Sequence, residues 1–177
     1  MYFEPYFHRY PNIAKVEFRT VNVDKRGNIP RGSYLFVETY CNEKKCDCRR
    51  TLIQVLPPPF SQQKGIQAFI SFGWEPAAFY RDWGRGSMSE SDLDWIKGPG
   101  LDPFQPQGPY AADFLALFIE SIKQKDYQDM LLRHYAQFKY DLGMKIPKAL
   151  TPHLGRYELC GCKSGKSFAL CCSRRRW

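Results

Sequence analysis

At 177 residues the chain has room for one ordinary domain of about 100–150 residues and a short appendage, which excludes a large multidomain enzyme. Its hydrophobic fraction of 44% and aromatic fraction of 16% support a packed core, and the longest strongly apolar run, residues 114–119, falls far short of the about 20 residues that a membrane span needs. The formal net charge of +8 points toward an anionic partner, but it counts every cysteine as a neutral thiol, and zinc ligands are thiolates.

The opening residues Met1-Tyr2-Phe3-Glu4-Pro5-Tyr6 lack the basic start and apolar run of a secretory signal, so the reading expects a cytoplasmic protein. From residue 14 to about residue 74, β-branched and aromatic residues recur in short runs between turn signals, the pattern of an antiparallel meander. Four strands are expected, at 15–23, 33–40, 51–56 and 67–72, with alternation clearest in Val16-Glu17-Phe18-Arg19. Residues 75–109 are rich in Gly and Pro and read as a long irregular connection. Within it only 89–97 reads as a helix, capped by Ser89 and Asp92, and its many aromatics should pack over the sheet. Residues 111–142 carry the strongest helical text, with Leu115, Phe118, Ile119, Ile122 and then Leu131, Tyr135, Phe138 and Leu142 at spacings of three and four. Whether this is one helix or two is open, Lys125-Asp126 marks the break, and Gly143 closes the element.

The expected fold is therefore α+β: an antiparallel β-meander with C-terminal helices over residues 1–143, a linker over 144–154, and a small zinc knuckle over 155–177. All seven cysteines fall in two groups, and clustered cysteines in a cytosolic chain are more often metal ligands than disulfides. The second group, Cys160-x-Cys162, eight residues, then Cys171-Cys172, offers four soft ligands in a short span, the closed tetrahedral shell of a structural Zn²⁺ site. So short a segment has no core of its own, so the metal must supply its folding free energy, on the order of 10 kcal/mol.

Gly155-Arg156, Cys160-Gly161-Cys162-Lys163-Ser164-Gly165-Lys166-Ser167-Phe168 and Cys171-Cys172 together resemble the SEC-C motif, the module at the C-terminus of the SecA translocase motor. The resemblance implies one zinc ion on Cys160, Cys162, Cys171 and Cys172, docking onto a protein or ribosome surface, and a bacterial origin. Gly161 stands where that motif usually has proline, and Ala169-Leu170 where it commonly has a basic pair.

The first group is Cys41, Cys46 and Cys48. Cys41 ends the second expected strand and Cys46-Asp47-Cys48 opens the third, so a hairpin loop would gather the three sulfurs into a second metal site. A fourth ligand must come from elsewhere: His8, His134 and His153 are the histidines, with His8 favoured because its aromatic segment precedes the first strand, and Asp47 is the alternative. Equally weighted is a trio of reduced structural cysteines. Function reads as a zinc-binding adaptor. The alternative is a basic nucleic-acid-binding accessory protein using Lys44, Lys45, Arg49 and Arg50. A metalloenzyme at the trio, with Glu38 or Asp47 as base, comes third, since three thiolates blunt the Lewis acidity of zinc.

Overall fold

The computed structural model describes residues 2–24, 27–59 and 61–144. The SEC-C-like segment, its four cysteines, His153 and nearly all of the expected linker lie outside the described residues.

Twelve elements follow in order: β1 Phe3–Pro5, α1 Tyr6–Arg9, α2 Pro11–Glu17, β2 Arg19–Val23, β3 Gly32–Cys41, β4 Arg50–Leu56, β5 Ala68–Gly73, α3 Ala77–Trp83, α4 Glu90–Lys97, β6 Gly100–Leu101, α5 Ala111–Ile122 and α6 Lys125–Asp141. The strands form one antiparallel sheet in the order β1-β3-β4-β5-β6, with β2 also paired to β3. The meander and the C-terminal helices are as the pattern predicts, and the three central strands begin and end within one residue of expectation.

The N-terminal edge differs. Residues 15–17, expected to open the first strand, instead end α2, and the strand begins at Arg19. Pro11 at the first helical position presets the backbone for a helix, and Ala14 is the buried residue of that short element. Val16 lies exposed, so the alternation at 16–19 reports one helical turn running into a strand. β1 and β2 thus share the same edge of β3, at residues 39–41 and 32–36, and the two short helices bulge out between them.

Alternation along β3 sets the two faces of the sheet. Tyr34, Phe36, Ile53, Val55, Ala68 and Ile70 face α5 and α6 in the main core, with Phe114, Phe118 and Leu131 from the helices. The break between α5 and α6 falls at residues 123–124, so the helical text is two helices. After α6, Gly143 takes φ +79°, and Met144 and Gly143 donate to the carbonyls of Lys139 and Tyr140, which terminates the helix. The irregular connection holds α3 and α4, and the reciprocal Ser89–Asp92 cap is present at the start of α4. Tyr80, Leu93 and Ile96 make a small cluster of their own, with Phe79, Trp83 and Trp95 packed against it. Among the described residues no helix is long and apolar enough to cross a membrane.

Candidate metal centre

Cys41 is the last residue of β3, and the chain needs eight further residues to re-enter the sheet at Arg50. The loop tightens at once: the Cys46 N–H donates to the Glu43 carbonyl at 3.2 Å, and the Asn42 N–H is held by the Tyr2 carbonyl beside β1 at 3.0 Å. This folding brings the sulfurs of Cys41, Cys46 and Cys48 within 4.8 Å of one another, as free thiols. Cys41 and Cys48 are buried, and Cys46 is partly exposed.

Residues distant in sequence hold the loop. Tyr135 of α6 donates to Asp47 Oδ1 at 2.9 Å and accepts the Arg49 N–H at 3.2 Å. Tyr80 of α3 donates to the Arg49 carbonyl at 2.8 Å and accepts from the Glu75 N–H at 3.3 Å. Arg49, in the left-handed region at φ +42°, pairs with Asp47 and Glu75 at 2.9 Å each and lies over the Phe79 ring. Lys139 of α6, buried, donates to the carbonyl oxygens of Cys41 at 2.6 Å and Glu43 at 3.4 Å.

The sulfurs do not ionise independently. Hydrogen bonds from Cys46 and Cys48, with help from the Glu43 N–H and the Lys139 charge, hold the Cys41 thiol far below its ordinary range. A hydrogen bond to Cys41 pushes Cys46 up, and separate hydrogen bonds to Cys41 and to Cys46, together with burial, push Cys48 up. Protons alone thus favour one thiolate solvated by two thiols. A soft cation would replace those protons, and zinc–sulfur bonds of about 2.3 Å in a tetrahedron would place its ligand sulfurs about 3.8 Å apart. The donor set and the spacing fit such an ion with an inward movement of at most about 1 Å for any pair.

His8 is exposed on α1 with its ring against Phe7, and the converging group comprises the three cysteines. Asp47 engages Tyr135 and Arg49 with its two oxygens. His134 is buried on the helix-covered side of the sheet, where Nδ1 meets Glu38 at 2.9 Å and Nε2 meets Glu17 at 2.6 Å. Of the two carboxylates named as bases, Asp47 is held at both oxygens by Tyr135 and Arg49, whereas Glu38 is held by His134 at Oε1 and its buried Oε2 has no hydrogen-bond partner. Of the four basic residues around the loop, Lys44 and Lys45 are exposed, whereas Arg49 is ion-paired and Arg50 is buried between the rings of Phe3 and Trp95.

Neither a protein-family model nor a curated protein nor a solved structure matches this chain. The centre therefore rests on its own geometry. Sequence reasoning found the three sulfurs from their spacing and missed Tyr80, Tyr135 and Lys139. For the α6 pair a signal existed, since residues 131, 135, 138, 139 and 142 fall on one face of a helix.

Proposed function

We propose that this protein is a zinc-binding adaptor with one Zn²⁺ in its body and a second in its C-terminal segment. In the body, Cys41, Cys46 and Cys48 are three ligands of a tetrahedral ion, with the fourth position left to a further ligand. At the C-terminus, Cys160, Cys162, Cys171 and Cys172 form the SEC-C-like knuckle, which docks onto a protein or ribosomal surface in a cytoplasmic, bacterial setting. The observation that carries the body site is the convergence of three thiol side chains within 4.8 Å. A structural rather than hydrolytic metal is supported by the engagement of Asp47, both of whose oxygens are held by Tyr135 and Arg49 and so are not free to serve as base at the loop.

The test is elemental analysis of the full chain purified under reducing conditions, beside its Cys41→Ser variant. Two zinc ions per chain should fall to one, and a chelator should lower the melting temperature of the wild type by more than that of the variant. One zinc ion unchanged by the substitution sinks the body site. For docking, cosedimentation with purified ribosomes should be lost when all four C-terminal cysteines are replaced by serine and kept in Cys41→Ser. Ribosome binding that survives the four replacements assigns it to another surface.

A further inference from the structure

The two faces of the sheet are not covered alike. Tyr34, Phe36 and Tyr40 of β3, with Ile53 and Val55 of β4, pack under α1, α5 and α6. Alternation turns the residues between them to the other side. There the register sets Val37 beside Gln54 and Thr39 beside Leu52, with Phe69 and Ser71 next to them on β5. Val37 is 1% exposed and Leu52 5%, yet neither belongs to an apolar cluster formed among the described residues. On this side α4 packs on β5 and β6, with its Ile96 carbonyl at Ser71 and its Trp95 ring against Arg50. The helices packed on β3 and β4 are α1 and α6, and both lie on the opposite face. A valine and a leucine at the centre of a bare sheet face would reach water. These two do not.

We infer that this face is the docking surface of the chain's own residues 145–159, which lie across β3 and β4 and hold the C-terminal cysteine segment against the body. The inference goes beyond metal binding and does not depend on it. α6 delivers the chain to this place. Lys139 reaches the Cys41 carbonyl at 2.6 Å, and the Met144 N–H is held by the Lys139 carbonyl at 3.1 Å, so the described body ends beside the last residue of β3. From Cys41 back to Val37 is about 14 Å of strand, whereas the segment 145–159 can span up to about 50 Å. The segment carries Ile146, Leu150, Leu154, Tyr157 and Leu159, large side chains whose burial on an apolar face is favourable. Its Pro147 and Pro152 bring no N–H that such a face would leave unsatisfied. The loop that follows β4 turns back at the far end of the sheet, where Pro58 lies against Gly32 at the start of β3.

The test is photocross-linking of the full chain, with a diazirine analogue of leucine in place of Leu150 in one preparation and of Leu154 in another. Each is irradiated at low concentration in an equal mixture with heavy-isotope chains. Expected are cross-links within single chains, to the peptides that contain Val37, Leu52 or Phe69. Cross-links that join light to heavy chains assign the face to a second copy. Cross-links confined to other parts of the body, or none to protein, leave the face to a foreign partner. Each of these results overturns the inference. A second measurement compares Leu154→Asp with Lys148→Asp in the full chain. A charge placed on the covered face should lower the melting temperature by about 5 °C or more, whereas the lysine variant should melt with the wild type. Equal melting temperatures in the two variants would mean that the segment is a free tether. The cross-linking, which keeps the side chain apolar, decides should Leu154→Asp fail to fold. Neither readout requires a metal, so failure here leaves the cysteine sites untouched.

Discussion

Two buried polar clusters flank β3, and they are built on opposite principles. On the helix-covered side, Glu17, His134 and Glu38 form a complementary set, in which an imidazole with two ring nitrogens meets two carboxylates at 2.6 and 2.9 Å while its face stacks on Tyr6 at 3.9 Å, although the second oxygen of Glu38, Oε2, is buried without a hydrogen-bond partner. At the end of the same strand, Cys41, Cys46 and Cys48 turn three groups of one kind toward each other. The first cluster sets carboxylates against an imidazole and the Arg133 guanidinium; the second gathers three sulfurs that could hold a metal ion. Complementary groups in contact satisfy one another, whereas like groups in contact could hold a metal ion.

The largest expected effect breaks the histidine cluster. Replacing His134 with leucine strands Glu38, which is 1% exposed, without its partner, and should destabilise the protein by about 3–5 kcal/mol in urea unfolding. Adding Glu38→Gln should recover part of that loss, because the stranded charge is then gone. Metal content should not change in either variant. Loss of zinc in His134→Leu would show that the two clusters are one cooperative unit.

The next effect is a pH dependence confined to the histidine cluster. Burial disfavours the charged ring of His134, but hydrogen bonds to Glu17 and Glu38 outweigh it, and its pKa rises above 6.5. A raised folded pKa means that the stabilisation is fully present below the unfolded value and is lost as pH climbs through the folded one. The stability gap between wild type and His134→Leu should therefore narrow on going from neutral to alkaline pH. On the acid side, the His134 hydrogen bond is the main cause holding Glu17 near a pKa of about 2, so its contribution is present above about 4.5 and fades as pH falls toward 2. A gap that stays constant across the alkaline range would mean that the ring is neutral in the folded protein.

The sequence made the cysteine cluster legible and hid the histidine one. Three cysteines within eight positions, placed between two alternating strands, announce themselves because a hairpin loop cannot keep them apart. Glu17, Glu38 and His134 are separated by 21 and 96 positions and meet only because α2 bulges from the sheet edge while α6 crosses the face, a placement that periodicity does not encode. The N-terminal edge was misread for the same reason, since four alternating residues suit a strand and equally suit the end of a one-face helix. Lys139 lay between these cases: basic residues near a helix end are ordinarily solvated, yet its register with Tyr135 and Leu131 put it on the buried side.

The smallest effect separates the clusters most cleanly, because it removes one hydroxyl from each. Tyr6→Phe deletes the 2.6 Å hydrogen bond to Gln137 beside the histidine cluster, and Tyr135→Phe deletes the bonds to Asp47 and to the Arg49 N–H that hold the cysteine loop. Tyr6→Phe should cost about 1 kcal/mol of stability, a typical net value for one such bond, and Tyr135→Phe, which loses two, about twice that, with the ring packing retained in both. Their effects on metal binding should differ. Tyr135→Phe loosens the segment that positions Cys48 and should weaken Cd²⁺ binding by about tenfold, as losses in the shell behind metal ligands do, whereas Tyr6→Phe should leave the affinity unchanged. Stability losses in both variants with metal affinity lowered only in Tyr135→Phe would establish that Tyr135 serves the loop and Tyr6 the core. Weakened metal binding in both variants would instead mean that α6, which carries His134, Tyr135 and Lys139 within two turns, moves as one body and couples the clusters through its own position.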